Sequence, residues 1–358
     1  MTALRGKLLP PVLAIAFSAL LCTIALLISG GSPGSALAAM VTQVGKGTTA
    51  VDIVNSATIY YLIGIAVAIG FKMNLFNIGV EGQYRIGAVA GAIVGGSTNL
   101  PPVLEPLLII VTAMVAGAAY AAIPAILKVT RGVSEVITTI MLNALSIGII
   151  ALLISQRAFG VLNGNNIGTR NVPQSGWIPG ISLGEHGTIF GFVVIAILAG
   201  VGYWVMLNRT RFGFELRASG ESPTAATAGG VNAKRMIVIA MLLSGAIAGL
   251  TALPELLGRD HTYTQISPQG YGFTGIAVAL LGRNNPGGIA FGALLWAFLD
   301  QSAVSLDNVG VPREIVTIMQ GAIVLSVVVS YEVIRRLELA AEQRRVGRQL
   351  AAAAGGAA

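Results

Sequence analysis

Residues 53–71 read IVNSATIYYLIGIAVAIGF, a stretch without a single charged side chain. A helix of about 20 predominantly apolar residues spans the hydrocarbon core of a bilayer. Three polar positions near its start, Asn55, Ser56 and Thr58, do not break the run. The stretch therefore predicts a transmembrane helix.

The rest of the chain follows the same pattern. It is 54% hydrophobic and 10% charged, with a mean hydropathy of +0.79, whereas a soluble domain has about 25% charged residues. Runs long enough to span lie at 8–28, 53–71, 103–127, 136–154, 188–207, 236–253 and 315–331, and shorter ones at 86–96, 273–281 and 287–299. We predict an all-α polytopic bundle of about ten transmembrane helices. The short runs cannot each cross as straight helices, so eight to ten crossings remain open. The alternating ten-residue segments of a β-barrel are not seen in the sequence.

Small residues recur at four-residue spacing within these runs. Examples are Gly87, Gly91 and Gly95, then Gly245 and Gly249. On a helix this spacing allows two backbones to approach closely. We interpret it as tight helix packing.

The basic residues set the orientation. With the N-terminus inside and ten crossings, 17 Lys and Arg residues fall on the inner side, Arg85 among them, and 5 fall outside. This positive-inside bias predicts a multi-pass protein of the bacterial cytoplasmic membrane with both termini in the cytoplasm. It also argues against a nucleic-acid partner, although the net charge is +7.

Two domains are predicted from this topology. Residues 1–334 form the transmembrane domain, with a cytoplasmic loop at 208–235, and residues 335–358 form a basic, Ala-rich tail that anionic membrane lipids attract. The first apolar run could be a signal peptide, but its length favours a retained helix. A single cysteine, Cys22, excludes a disulfide within the chain, and His186 and His261 lie far apart. We expect no metal site and no cofactor.

Polar residues interrupt the bundle at FKMNLFNIGVEGQYR, residues 71–85. Irregular backbone at membrane depth is tolerated only where it is buried in protein or lines a water-filled path. Polar groups there are costly unless they are functional. We therefore expect a substrate pathway formed by Asn74, Asn77, Glu81, Gln83 and, mid-run in VITTIMLNALS, Asn143. For the similar stretch 280–288, LLGRNNPGG, a pathway and an ordinary cytoplasmic turn are equally supported.

The chain carries no motif for chemistry. The nearest approach to a phosphate-binding P-loop is GKGTTA at 45–50, where Gly47 replaces the required Ser or Thr. Ion-coupled carriers usually bury an acidic group mid-span. Here acidic residues in the predicted spans are few: Glu105, and Asp300 and Glu314 near span ends. This weighs against a carrier acting alone without excluding it, and a non-transporting scaffold is a third alternative.

The most polar inner loop is RFGFELRASGESPTAATAGG, residues 211–230. Ser222 is a typical N-cap and Pro223 fits the first helical position, so residues 223–228 predict a short helix that Gly229 and Gly230 end. Ala225 and Ala226 would present a smooth face to a partner's groove. Arg211, Glu215, Arg217 and Glu221 would form its polar rim. A solvated connection is the alternative.

Four stretches, in this order, resemble the permease subunits of binding-protein-dependent ABC importers: NLFNIGVEGQYRIGAVAGA (74–92), SEVITTIMLNALS (134–146), RFGFELRASGESPTAATAGGVNAKR (211–235) and GFTGIAVALLGRNNPGG (272–288). That family serves branched-chain amino acids, simple sugars and nucleosides, and FNIGVEGQ and EVITTIMLN are most similar to its nucleoside branch.

The resemblance implies the ten-helix type II importer fold. It also implies a coupling loop that docks on a cytoplasmic ATPase, with contacts from Arg211, Glu215, Arg217, Gly220, Glu221, Pro223, Ala225, Ala226 and Gly229. The ATPase, an extracytoplasmic substrate-binding lipoprotein and a second, related permease chain would be separate proteins. The protein itself would not be an enzyme.

We expect the purified chain alone to hydrolyse no ATP, because it lacks a phosphate-binding loop. The measurement is phosphate release by the chain in detergent with Mg²⁺ and ATP. Sustained turnover by a contaminant-free preparation would contradict the expectation.

Overall fold

The computed structural model describes residues 2–163, 166–264 and 267–355, and for 2–10, 163, 345 and 347–355 it describes the backbone alone. The predicted inner-side residues Arg5, Lys7, Arg345 and Arg348 therefore have side chains outside the described set. The helices, in chain order, are α1 (Thr2–Ile28), α2 (Pro33–Val44), α3 (Gly47–Lys72), α4 (Val80–Gly95), α5 (Leu104–Arg131), α6 (Glu135–Leu153), α7 (Phe192–Arg209), α8 (Arg211–Glu221), α9 (Pro223–Ala228), α10 (Ala233–Gly249), α11 (Leu253–Glu255), α12 (Tyr271–Leu281), α13 (Pro286–Ser302) and α14 (Ile315–Gly355).

Eight helical segments among the described residues are long and apolar enough to cross a membrane. They confirm the prediction for all seven long runs, and the eighth is the short run 287–299, which extends to Pro286–Val309. The other two short runs lie on α4 and α12, of 16 and 11 residues. At about 1.5 Å rise per residue, neither reaches across a 30 Å core. The bundle thus combines spanning helices with two that begin or end inside it.

The chain forms two compact units, the larger of which is residues 44–301. Its central helix is α3, whose most apolar window is 83% buried, compared with 28% for that of α5 or α7. A helix that is hydrophobic on every side is typical of a buried position. Helices α4, α7, α10 and α12 all pack against α3.

Close backbone contact joins α4, α5 and α10. A Cβ on Gly87 would lie 2.7 Å from the Cα of Gly249, and one on Gly245 would lie 2.5 Å from the carbonyl oxygen of Gly117. No side chain fits at those distances. The predicted role of this glycine spacing in tight packing is confirmed.

The smaller unit comprises residues 1–43 and 302–358, in which α1 packs against α14. Helix α14 runs through residue 335 without a break and continues to Gly355. Residues 356–358 of the predicted tail lie outside the described residues, and the division at 335 stays a prediction.

The segment 156–187, which the predicted ten-crossing topology places on the outer side, contains one short hairpin and most of a second. Strands β1 (Val161–Asn163) and β2 (Asn166–Gly168) pair antiparallel, as do β3 (Ile181–Ser182) and β4 (Thr188–Ile189). The segment 30–52 contains α2 and the start of α3. Ala36 and Met40 of α2 are buried.

Replacement of Gly245 by leucine is expected to lower the unfolding temperature in detergent by about 2 °C or more, since overpacking a close contact costs roughly 1–3 kcal/mol. The matched control is Gly148→Leu on α6, where an added Cβ meets nothing within 4 Å. Equal unfolding temperatures for the two variants would show that the α5–α10 contact is not tight.

Candidate functional site

The break between α3 and α4 is a buried, irregular stretch of backbone. Helix α3 ends at Lys72, and Asn74 then takes a left-handed conformation with φ of 55°. The chain turns inward through Asn77, which is 1% exposed, before α4 starts at Val80. Side chains must satisfy the backbone and amide groups of this stretch, because water is scarce inside the bundle.

Two amide side chains pair across the break. The Asn77 Nδ2 donates to Oε1 of Gln83 at 2.9 Å, and the Gln83 Nε2 donates back to Oδ1 of Asn77 at 2.9 Å. Asn77 Nδ2 also donates to Oγ of Ser244 on α10 at 2.8 Å, and that hydroxyl donates to the Ala66 carbonyl of α3 at 2.6 Å. A single buried network thereby ties the break to α4, α10 and α3.

Asn143 secures the same segment from α6. Its Oδ1 accepts from the Gly82 N–H at 2.9 Å, and its Nδ2 donates to the Ile78 carbonyl at 3.0 Å. Both backbone groups lie where the helical ladder of α4 starts and leaves partners unmade. The side chain is half-buried and faces the break rather than the outside of the bundle.

Glu81 connects the break to a second helix that starts inside the bundle. Its carboxylate accepts from the N–H groups of Gly270 and Gly272 at 2.9 and 2.8 Å, and the Tyr84 hydroxyl lies 3.1 Å away. These N–H groups form the N-terminus of α12, where a negative charge is favourable. Glu81 is only 6% exposed.

The predicted pathway residues therefore divide. Asn77, Glu81, Gln83 and Asn143 converge on the break as expected. Asn74 does not: its side chain is exposed, and the residue supplies the left-handed turn that Asn adopts more readily than most residues. A role of the four convergent residues in transport stays a prediction, since their polar atoms already bind protein partners.

The sequence reasoning missed a second polar cluster in the same unit. The Tyr60 hydroxyl donates to Asp300 Oδ2 at 2.8 Å, and the Tyr271 hydroxyl donates to Glu255 Oε2 at 2.9 Å. The Tyr271 ring lies between those of Tyr60 and Tyr84, with centroids 6.0 and 5.6 Å away. Of these tyrosines only Tyr60 lies inside a predicted apolar run, so no local pattern in the sequence indicates the cluster.

Two expectations about charged residues are wrong. Asp300 lies near the end of α13 but not near the end of the apolar segment, because a 3-10 helix at Ala303–Val309 continues that segment. A further acidic residue that the sequence analysis did not consider, Glu255, lies inside the segment Ala233–Asp260 and is 9% exposed. Arg85 is not in an inner loop but on α4, 6% exposed, and its Nε has no hydrogen-bond partner among the described residues. Acidic residues therefore do lie inside membrane-spanning segments, contrary to the expectation that weighed against an ion-coupled carrier.

The polar loop 211–230 contains two helices rather than one. The Thr210 hydroxyl caps α8 by accepting from the Gly213 N–H at 3.0 Å, and Gly213, Leu216 and Ser219 bury one face at three-residue spacing. Arg211 pairs with Glu215 at 2.7 Å on the exposed side. The Arg217 guanidinium donates to the carbonyl of Leu207, the last turn of α7.

Helix α9 begins and ends as predicted. Ser222 Oγ accepts from the Ala225 N–H at 3.3 Å, Pro223 is the first residue, and Gly230 after it has φ of +85°. Ala225 and Glu221 are exposed, as are Pro223 and Gly229. Ala226 is 7% exposed and packs into the chain, so the expectation that it faces a partner is wrong.

The α8 helix rests directly on the end of α3. A Cβ on Gly220 would lie 2.5 Å from the carbonyl oxygen of Lys72 and 3.0 Å from the Cα of Met73. Only glycine allows so close an approach at this position. The polar helices and the break are therefore joined at the end of one buried helix.

Comparison with known proteins identifies the architecture. A family described as the permease component of the branched-chain amino acid transport system matches residues 49–328. This chain belongs to that permease family. The match confirms the resemblance found in the sequence and the fold class of a polytopic helical ABC permease. No solved structure matches the chain significantly.

Three relatives match the permease over much of its length. The guanosine ABC transporter permease protein NupP of Bacillus subtilis is 34% identical over 92% of this chain and 95% of its own. The nucleoside ABC transporter permease protein NupB of Lactococcus lactis is 32% identical over 91% and 92%. The glucose ABC transporter permease protein TsgB13 of Haloferax volcanii is 34% identical over 75% and 73%. The permease is a membrane subunit of an ABC importer, a class of system that includes an ATPase and a substrate-binding protein.

Asn143→Leu is expected to lower uptake by the assembled importer about tenfold, because it leaves two buried backbone groups of the break without partners at roughly 1–3 kcal/mol each. Insertion should be unaffected, since leucine is apolar. The assay compares uptake with the amount of permease in the membrane.

The matched control for that substitution is Asn208→Leu, which removes an exposed side chain that donates to the Trp204 carbonyl of its own helix. Full uptake by the Asn143 variant would show that α6 does not hold the break.

Proposed function

We propose that this permease carries nucleosides into the cell. The observation that carries the proposal is the similarity to NupP and NupB, which covers more than nine tenths of this chain and of each relative. The match to the glucose permease protein covers three quarters of the chain. Nucleosides are therefore favoured over simple sugars, and the family description alone supports branched-chain amino acids.

ATP would drive transport from a separate chain. The sequence has no phosphate-binding loop, and α8 and α9 offer a compact polar surface on which an ATPase could dock. Arg211, Glu215, Glu221, Pro223, Ala225 and Gly229 form that surface, whereas Arg217, Gly220 and Ala226 hold it onto the chain. Without the buried Arg85, the basic bias of 16 against 5 still supports both termini in the cytoplasm of a bacterial inner membrane.

A second, related permease chain would complete the pathway. The basis is the resemblance to the nucleoside branch, which is an argument from family rather than from a contact. An ion-coupled carrier acting alone is the competing function. The buried Glu255 and the mid-segment Asp300 are the observations that favour it.

Reconstitution of the importer tests the proposal. The permease is placed in liposomes with internal ATP, together with a candidate related permease, ATPase and substrate-binding protein from the same organism. We expect ATP-dependent uptake of radiolabelled guanosine and cytidine but not of glucose or leucine. Uptake of glucose or leucine without uptake of either nucleoside would overturn the proposed substrate class. Uptake by the single chain under a proton or sodium gradient would select the carrier.

Ala225→Asp is expected to reduce ATPase capture in a detergent pull-down by about tenfold, because it places an unpaired charge against the docked partner. The control is Ala158→Asp, an exposed alanine of the segment expected outside. Ala226→Asp would instead disrupt α9 itself, so it does not test docking. Glu215→Ala should have a milder effect, about 1 kcal/mol or less. Normal capture by the Ala225 variant would leave this loop as a solvated connection.

A further inference from the structure

Three tyrosine rings and two carboxylates gather in the larger unit, and we call them the tyrosine face: Tyr60, Tyr84, Tyr271, Glu255 and Asp300. They come from α3, α4, α12, α11 and α13. The chain has only 8 tyrosines among 358 residues, so this concentration sets the cluster apart from general apolar packing.

The position of the face is central. Tyr60 lies midway along α3, and Asp300 lies well inside the segment Pro286–Val309. Substrate sites of transporters lie near the bilayer midplane, where helices are interrupted. Here α12 is the interrupted helix, and Tyr271 is its first residue.

Asp300 shows that the face is not sealed. Its side chain is exposed although the residue is part of a membrane-spanning segment. A carboxylate at that depth faces a water-filled path or another protein chain, because contact with lipid is too costly. Tyr60 occupies one of the roughly four acceptor positions of this carboxylate. Capacity for further donors remains.

Hydrogen bonds fix the rings in place. The hydroxyls of Tyr60 and Tyr271 donate to Asp300 and Glu255, and Arg259 holds Glu255 from the other side at 2.9 Å. The Tyr84 hydroxyl lies 3.1 Å from both Glu81 and the Pro268 carbonyl. Phenylalanine would pack these helices without burying three hydroxyls and a carboxylate. The arrangement therefore suits recognition better than packing.

The geometry points to a nucleoside contact surface: we infer that the base packs against the half-buried ring of Tyr271, while sugar hydroxyls donate to the exposed carboxylate of Asp300. This rests on the proposed function. Aromatic rings bind bases of any sequence by stacking, and carboxylates accept from hydroxyls. A planar base joined to a polyhydroxylated sugar matches both halves of the face.

The test uses the reconstituted importer with saturating, ligand-loaded binding protein, so that affinity for that protein does not set the rate. The probes are guanosine, cytidine and the dideoxy form of guanosine. The variants are Tyr271→Phe, Tyr271→Leu and Asp300→Asn. Complex recovery and basal ATP hydrolysis are measured for each.

Loss of the ring should matter most for the larger base. We expect Tyr271→Leu to lower the guanosine rate about tenfold and the cytidine rate about threefold, because a purine stacks over more area. Tyr271→Phe should keep the ratio of the two rates. Asp300→Asn should slow guanosine about tenfold and leave its dideoxy form unchanged relative to wild type.

The matched control is Tyr203, which is 3% exposed and donates to the Asn284 carbonyl at 3.0 Å, away from the face. Tyr203→Phe and Tyr203→Leu should change all probes equally. Equal loss for all probes in the Tyr271 and Asp300 variants would overturn the inference and leave a packing role. If the importer with Tyr271→Leu does not assemble, the test rests on the Asp300→Asn variant, in which the guanosine rate is compared with the rate of its dideoxy form. Wild-type importer that carries no nucleoside would instead refute the proposed function.

Discussion

The carboxylate of Glu81 is the contact on which the centre of this permease depends. A helix that starts inside a bilayer presents N–H groups for which no water is available. Glu81 accepts two of those at the start of α12, and its own helix α4 starts inside the bundle as well. Each short helix thus stabilises the position of the other. Without this pairing, neither could end at membrane depth without leaving buried polar groups unmatched.

The other polar groups of the centre serve the same constraint. Asn143 bonds two backbone groups of the break, and the Asn77–Gln83 pair reaches α10 and α3 through Ser244. The glycine contacts of α4 with α10 bring these helices near enough for such short bonds. Small residues and amide side chains therefore act together, the first by allowing approach and the second by fixing register.

Much of this fold was accessible from the sequence because its signals are local. Apolar length located the spanning helices, and the Ser222, Pro223 and Gly230 pattern located α9 to the residue, since caps act within one turn. The amides at 77, 83 and 143 were correctly expected to face inward, because a lipid-facing amide is expensive. Helix α8 was missed although its buried positions recur every three residues, because its charged residues dominated the interpretation.

The features that were not predicted depend on contacts between distant parts of the chain. Tyr60 and Asp300 are 240 positions apart, and no local pattern indicates that they meet. The same holds for Arg85, which in the sequence resembles a loop residue beside a span but is buried by the packing of α4. It also holds for Ala226, since the packing around α9 determines that this side chain points inward. Asn74 shows the converse, since a polar residue beside a break can serve backbone geometry alone.

The seat of Gly220 on the last carbonyl of α3 has a mechanical consequence. Side chains absorb small displacements by changing rotamer, but this junction is backbone against backbone and offers nothing to yield. The same rigid rod that ends under α8 carries Tyr60 at its midpoint. A displacement of α8 and α9 would therefore be transmitted along α3 to Tyr60 in the middle of the membrane, with little of it absorbed at the junction.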